Sequence, residues 1–161
     1  MIRPFALRDL ALVSRLSENA VSLHTESALT HNPHPVRDAL ISMVSGDYPT
    51  LICKRNESGA TGFIQLQIQE SSSHAHIFFL ASQNRESQKN DGSDEFHLKE
   101  TVWLALLDQA VAEIGSRGVY SLVAEVNEAG DDLPILRQAG FAVYTRQDIW
   151  TLDSIDANVH S

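Results

Sequence analysis

The stretch "LLDQAVAEIGSRGVYSLVAEVNEAGDDLPILRQAGFAVY", residues 106–144, decides how this chain folds. It begins inside an apolar stripe that recurs every four residues from Leu98 to Ile114, which predicts an amphipathic helix. A strand, a short helix and a second strand are predicted after it, at residues 119–126, 133–138 and 141–152. Helices that alternate with strands in this way pack on the faces of a sheet.

The residues before this stretch predict the rest of the sheet. A strand at 2–7 and two helices, one ending near His24 and one at 36–45, precede three consecutive strands. Those strands cover residues 50–56, 62–70 and 74–82. The second alternates apolar residues with glutamines and so predicts one wet face, whereas the run "HIFFLA" in the third predicts burial on both faces at the centre of the sheet. This order predicts a mixed α/β fold.

Composition limits the classes of partner. The 161 residues carry a net charge of −9 and are 43% hydrophobic, which predicts one domain over residues 1–152 followed by a polar tail at 153–161. The acidic balance argues against sequence-independent binding to nucleic acid or to a membrane surface. The first residues lack the features of a secretory signal, so we expect a cytoplasmic protein. Cys53 lies in an apolar run and is expected to be a buried, inert thiol.

The quoted stretch resembles the C-terminal half of the GNAT superfamily of acyl-CoA-dependent N-acyltransferases. The resemblance rests on the helix, "RG", a strand ending in Asn127, the short helix and "AGF", and the upstream order of elements agrees. It implies a mostly antiparallel mixed sheet of six or seven strands flanked by about four helices. It also implies that the sheet splays to admit the pantetheine arm of acetyl-CoA, and that an acetyl group passes to a small-molecule or protein amine.

The phosphate-binding motif of that family is absent. The polar stretch at 84–98 is long for a junction between a strand and a helix. Members of the family carry Arg/Gln-x-x-Gly-x-Gly/Ala there, and the matching positions, 98–103, contain no glycine and place Trp103 where the second glycine belongs. A looser match at 89–94 has one glycine and two acids. The stretch is therefore either a divergent cradle for pyrophosphate or a solvated surface loop.

The resemblance also nominates site residues. His76 stands where many relatives have a carboxylate near the start of the strand, and it could act as a general base or be an edge-of-core histidine. Backbone groups of Leu80 and Ala81 would hold the pantetheine amides and the acyl carbonyl. Asn127 would contact the pantetheine arm or a water, or it simply ends the strand in a turn.

The acid that protonates the thiolate has no clear candidate. In many relatives it is a tyrosine four residues before the glycine of "AGF", and that position here is Leu136. Tyr120 and Tyr144 are the hydroxyls nearby in sequence. Neither is placed at the sulfur by the sequence.

No metal site is expected. His24, His31 and His34 lack the helical frame and accompanying cysteines of a zinc signature, and His74 with His76 offers a two-histidine chelate without a third ligand. The polar connection that contains the first three would line the acceptor site in this family.

Two hypotheses of function follow. The first is an N-acyltransferase that binds acetyl-CoA with a degenerate cofactor loop. The second is a non-catalytic module of the same fold that has lost acetyl-CoA binding and works by binding or dimerisation, as a homodimer.

Overall fold

The computed structural model describes residues 1–30, 34–55, 59–68, 73–84 and 92–150. Within these ranges six strands form one sheet: β1 (Ile2–Pro4), β2 (Val21–Ser22), β3 (Thr50–Lys54), β4 (Ala60–Ile68), β5 (His74–Asn84) and β6 (Ser121–Val123). The helices in the same ranges are α1 (Leu10–Ser17), α2 (Thr25–Thr30), α3 (Pro35–Ser45), α4 (Gly92–Ser116) and α5 (Asp132–Gln138).

The sheet is mixed and mostly antiparallel. β1, β3, β4 and β5 lie side by side in that order, each antiparallel to its neighbour. The second edge of β5 pairs with β2 in antiparallel fashion and with β6 in parallel fashion. The predicted fold class and the central position of the "HIFFLA" strand are therefore confirmed.

Helices cover both faces of the sheet. On one face Val13 and Leu16 of α1 pack against Ile52, Phe63 and Phe79 of the strands. On the other face the buried side of α4, together with α5, covers a larger cluster that includes Leu66, Ile77, Leu80, Leu106 and Ile135. Cys53 is buried in that second cluster, and burial raises the pKa of its thiol, as expected for an inert cysteine.

The expected wet face of β4 is wrong at Gln65. Its side chain is fully buried, because α3 lies over this part of the sheet. The amide Nε2 donates to the carbonyl oxygen of Pro35 and to the hydroxyl of Thr50, each at 3.1 Å. These two bonds satisfy the donor end of the amide, whereas the buried Oε1 has no hydrogen-bond partner among the described residues, so the core position of this glutamine is only partly compensated.

Several boundaries differ from those predicted. The first helix, expected to end near His24, ends at Ser17, and the strand expected at 119–126 is limited to Ser121–Val123. Residues 141–150 form neither helix nor strand, because β6 has only three residues and offers little edge for a further strand. α4 begins at Gly92, so residues 92–98 of the expected loop are helical, and their polar character reflects exposure. β2 and α2 were not predicted, since each is very short. Residues 85–91 and the tail at 153–161 lie outside the described ranges.

No helix in the described ranges is both long enough and apolar enough to cross a membrane.

A buried ion cluster fixes the start of the chain on the sheet. Asp9 is fully buried and accepts hydrogen bonds from two nitrogens of Arg3, both at 2.6 Å, from Lys54 Nζ at 3.2 Å and from the N–H of Ala6 at 3.0 Å. Burial raises the pKa of Asp9, but these hydrogen bonds outweigh it and lower the pKa to about 2. The cluster links α1 to β1 and β3.

This cluster predicts acid-sensitive stability. The folded pKa of Asp9 is about 2, below the ordinary value of 3.8, so its contribution is complete above that ordinary value and is lost as pH falls through about 2. The difference corresponds to about 2 kcal/mol in the free energy of unfolding. Urea unfolding of the wild type and of Asp9→Asn, from pH 7 to pH 2, measures this contribution. The difference between their free energies of unfolding should shrink as the pH falls. A difference that stays constant would contradict the assignment.

Trp103 anchors α4 to the sheet. Its side chain is 1% exposed and belongs to the larger cluster. Lys99 Nζ lies 4.4 Å from the centroid of the ring and also pairs with Asp132 Oδ1 at 2.7 Å, which ties α4 to the start of α5. The position that would be a glycine in the family motif is here a core aromatic.

Replacing Trp103 with glycine should therefore be costly. We expect Trp103→Gly to lower the free energy of unfolding by roughly 3 to 5 kcal/mol from the lost side chain and by about 1 kcal/mol from glycine in a helix. Val111→Gly on the same helix is the matched control, because Val111 is 52% exposed and should show only the helix term. Equal losses in the two variants, measured by urea unfolding, would show that the indole is not part of the core.

Candidate active site

β5 and β6 pair over only three residues, 74–76 with 121–123, and then separate. Leu23, which follows β2, lies in the gap. It donates its N–H to the carbonyl oxygen of Phe78 at 3.0 Å and accepts a hydrogen bond from the N–H of Glu125 at 2.9 Å. The chain's own backbone thus bridges the two strands where they diverge.

The divergence coincides with a β-bulge in β5. Gln65 of β4 pairs with Phe79 and Leu66 pairs with Ile77, which leaves Phe78 as the extra residue. A bulge bends its strand and re-aims the side chains on either side of it. The bulge therefore lies where β5 and β6 part and the segment after β2 enters between them, and neither His76 nor Phe78 is among the residues that line the cavity beside the bridge.

An open cavity of about 960 Å³ lies beside the bridge. Its walls come from β2 and the residues after it, from the segment that follows β6, from α5 and from the irregular segment 141–149. A cavity of this size is typical of sites for small molecules. It can accept an extended substrate arm from outside the sheet.

His76 lies on β5 two residues before the bulge. Its ring is half-buried, and its buried Nδ1 atom has no hydrogen-bond partner in the part of the chain that the structure describes. The ring of His24 meets it edge to face, with centroids 4.8 Å apart and planes at 88°. Burial lowers the pKa of His76, His24 lowers it further, and Glu125 opposes both in part. The imidazole is therefore neutral at physiological pH and can accept a proton.

Glu125 places a negative charge near the two imidazoles. Its Oε2 accepts the backbone N–H of Thr25 at 2.8 Å. Burial raises the pKa of Glu125, but hydrogen bonds from the Thr25 hydroxyl and N–H outweigh burial and lower the pKa. The carboxylate is thus ionised and can stabilise an imidazolium formed when His76 takes up a proton.

Leu80 and Ala81, the predicted backbone contacts of the pantetheine arm, follow the bulge and are both buried. Leu80 pairs with Ile64 on one side and with Val21 of β2 on the other. Ala81 pairs with Phe63 and lies beyond the two-residue pairing of β2. The edge of β5 at Leu80 is therefore already occupied by another strand of the same chain.

Asn127 is a turn residue, which is one of the two interpretations considered for it. Its Oδ1 atom accepts the N–H of Ala129 at 3.0 Å, and its carbonyl oxygen accepts the N–H of Gly130 at 3.0 Å, which makes it a turn residue. It also lines the 960 Å³ cavity.

The tyrosine position of the family is filled by a core residue. Leu136 is 2% exposed and packs in the larger hydrophobic cluster. Tyr144 lines the cavity and is 82% exposed, whereas Tyr120 is 89% exposed and is not a lining residue. Tyr144 is thus the better placed of the two hydroxyls named from the sequence.

A phosphate cradle at residues 98–103 is excluded. These residues lie inside α4, where backbone N–H groups bond to the preceding turn and are not free for a ligand. The first turn of α4 carries Asp94 and Glu95, which oppose an anion at the helix N-terminus. Of the alternative positions, 92–94 are helical and 89–91 lie outside the described residues.

Of the other histidines named from the sequence, the structure describes His34 and His74, which belong to different parts of the fold. His74 Nδ1 contacts the hydroxyl of Ser121, and His34 precedes α3, while His31 lies outside the described ranges. In the ranges that are described, no group of three or more His, Cys, Asp and Glu side chains is placed to hold a metal ion.

Sequence reasoning did not connect Glu125 to this site, and it placed His24 and Thr25 only in a polar connection expected to line an acceptor site. His24 and Thr25 are about 50 residues from His76, and Glu125 about as far on the other side, so the bridge through Leu23 and the pairing of β2 on β5 are needed to bring them together. One signal was available: Glu125 is the only charged residue within the apolar run "SLVAEV". A charge in an otherwise apolar run is a candidate site residue.

No protein-family model matches the sequence, and no curated protein sequence matches it. Solved structures do match. A probable acetyltransferase superimposes with a TM-score of 0.59 at 14% identity over 97% of this chain and 99% of that chain. The tetramutant of the BH1408 protein from Bacillus halodurans gives 0.58 at 13% identity over 94% and 99%.

A third match is the ribosomal-protein-alanine N-acetyltransferase from Brucella melitensis biovar Abortus 2308. It superimposes with a TM-score of 0.55 at 14% identity over 94% of this chain and 99% of that chain. Likeness at these identities, over nearly the whole length of both chains, is likeness of fold. This chain has the fold of the GNAT acetyltransferases.

Proposed function

We propose that this protein is an N-acyltransferase that moves an acyl group, with acetyl as the first candidate, from a CoA thioester to an amine. The observation that supports the proposal most is the state of His76. It is a neutral imidazole with an unpartnered Nδ1, located beside a bulge where two strands diverge, with an ionised carboxylate nearby. Perturbed titratable groups of this kind concentrate at functional sites.

The proposed chemistry assigns His76 as general base. The acceptor arrives as an ammonium and must lose a proton before its nitrogen can attack the thioester carbonyl. His76 takes that proton, and Glu125 stabilises the imidazolium that results. The thiolate that leaves needs a proton in turn, and Tyr144 is the hydroxyl at the cavity that could supply it.

The described residues suit the pantetheine arm of acetyl-CoA but not its phosphates. The 960 Å³ cavity suits an extended arm, with Asn127 on its wall. The described phosphate end does not fit, because the motif positions are helical and the first turn of α4 is acidic. An arm that pairs with Leu80 must also displace Val21 from the edge of β5. The phosphates of CoA therefore have no role in the proposed chemistry.

The occupied edge of β5 at Leu80 and the acidic first turn of α4 favour a second candidate function. In it the protein is a module of this fold that binds a protein partner or a second copy of itself. In such a protein β2 keeps its place on β5 permanently, and the acidic start of α4 meets no phosphate. Binding of acetyl-CoA separates the two candidates.

Calorimetric titration with acetyl-CoA, with free CoA as control, is the first measurement. The acyltransferase should bind at a micromolar dissociation constant, about −8 kcal/mol. Absence of binding at millimolar acetyl-CoA would contradict the proposal, and sedimentation analysis of oligomeric state would then follow for the second candidate.

The role of His76 gives a matched pair of variants. We expect His76→Ala to lower kcat at least 100-fold, the usual contribution of a general base, with the fold intact by circular dichroism. His74→Ala, on the same strand but exposed and in contact with Ser121, should keep near-full activity. The assay follows thiol release from acetyl-CoA with a panel of primary amines and peptide N-termini. Equal activity of the two variants would remove His76 from the mechanism.

The pH profile tests the same assignment independently. Because the pKa of His76 lies below the ordinary 6.5, its neutral form persists to a lower pH than that of a free histidine. The acidic limb of kcat/KM should therefore fall below pH 6.5 and should be absent in His76→Gln. A limb above pH 7 in the wild type would point to a different base.

A further inference from the structure

A second cavity, of about 450 Å³, lies between α1 and the end of the hairpin formed by β3 and β4. Four of its lining residues are cationic and the other four are small or apolar: Arg8, Arg15, Lys54 and Arg55, with Ala11, Leu12, Gly59 and Thr61. It shares no lining residue with the cavity beside β6. We call it the basic pocket.

The charge of the basic pocket is opposite to that of the protein. The chain carries 12 Lys and Arg residues against 21 Asp and Glu residues, yet a third of its cations line this one pocket, and the described lining contains no carboxylate. Such a concentration of like charge destabilises the folded state unless an anion compensates it. Composition alone would predict scattered cations.

The described ion pairs do not provide that compensation. Asp9 approaches Lys54 at 3.2 Å, but both of its oxygens also bind Arg3 at 2.6 Å. Among the residues that the structure describes, no ion pair joins a carboxylate to Arg8, Arg15 or Arg55. Residues 56–58 of the hairpin, which include Glu57, lie outside the described ranges, and the pocket is defined without them.

Arg15 provides a second observation that points to a ligand. Its Nε and one terminal nitrogen, Nη2, are both buried, and neither has a hydrogen-bond partner. Arg15 is only partly buried as a whole, but leaving two buried N–H donors unpaired is costly, and a planar fork of N–H groups matches the oxygens of a phosphate. Arg8 lies seven residues earlier, in the short 3-10 turn Leu7–Asp9 that leads into α1, and both side chains line the same pocket.

We propose that the basic pocket binds the phosphate groups of a small molecule, at a site separate from the amine and thioester chemistry beside β6. Arg15 would hold one phosphate by paired hydrogen bonds, and Arg8, Lys54 and Arg55 would supply charge. The phosphates can belong to a free phosphorylated ligand or to the nucleotide end of CoA, and the two sources are separable by experiment.

The test uses inorganic pyrophosphate as the probe, titrated calorimetrically into the full chain at low salt. The wild type should bind it, with an affinity that falls as sodium chloride is added. Arg15→Gln should weaken binding about tenfold or more, as expected for a charge-assisted hydrogen bond lost, and Arg8→Gln should weaken it by a smaller factor. Arg117→Gln is the matched control, since Arg117 is exposed, pairs with Glu113, lines neither cavity and removes the same charge elsewhere.

Failure of the wild type to bind pyrophosphate at millimolar concentration would overturn the proposal. Equal weakening in Arg15→Gln and Arg117→Gln would also overturn it, because only net charge would then matter. If Arg15→Gln does not fold, the comparison of Arg8→Gln with Arg117→Gln decides the same question, since Arg8 is exposed.

A competition arm identifies the source of the phosphate. If pyrophosphate displaces acetyl-CoA, and Arg15→Gln weakens acetyl-CoA as well, the basic pocket holds the nucleotide end of the donor. If the two ligands bind independently, the pocket serves a separate phosphorylated ligand. Either result supports an anion site here and leaves the transferase proposal to its own assay.

Discussion

The backbone of Leu23 is the link on which the site depends. Its two hydrogen bonds, to Phe78 on β5 and to Glu125 beyond β6, span the place where the strands part. Together with the pairing of β2 on β5 and the hydrogen bond from Thr25 to Glu125, they position the segment that carries His24 and Thr25 relative to His76. A single residue with both its donor and its acceptor engaged therefore holds three distant parts of the chain in one cluster.

β2, which leads into Leu23, has two roles that compete with each other. As a strand it satisfies the edge of β5 at Leu80, and it excludes water from the sheet. As a neighbour of the cavity it occupies the edge that an extended substrate arm would use. The pairing covers only two residues, so few hydrogen bonds need to break for the edge to open. Strand elements this short belong to the part of a structure that opens most readily.

Much of the fold could be predicted from sequence because its signals are local and periodic. The four-residue stripe of α4 and the apolar run of β5 depend only on which residues face the core, and both were predicted correctly in type. The segment 141–150 looks like a strand by composition, but a strand exists only if a neighbouring edge is available, and that depends on the length of β6. Gln65 was misassigned for a similar reason, since only the position of α3 decides which face is wet.

The site was less predictable because its members meet only through the folded backbone. His76 could be nominated by its place along a strand. Glu125 and His24 could not, since their proximity follows from the bulge and from the bridge at Leu23. The basic pocket was invisible as well, because Arg8 and Arg15 join Lys54 and Arg55 only when α1 lies over the hairpin. Composition gives only the net charge of the chain, which is negative, whereas the basic pocket is positive.

The burial of Trp103 also gives the molecule a built-in optical reporter. The second tryptophan, Trp150, is 90% exposed and adjoins the segment that lines the cavity beside β6. Emission from the buried indole, under the ammonium of Lys99, should be blue-shifted and shielded from iodide, whereas emission from Trp150 should be red-shifted and quenched. A ligand entering that cavity would alter one component and leave the other as an internal standard, so occupancy could be followed without any added label.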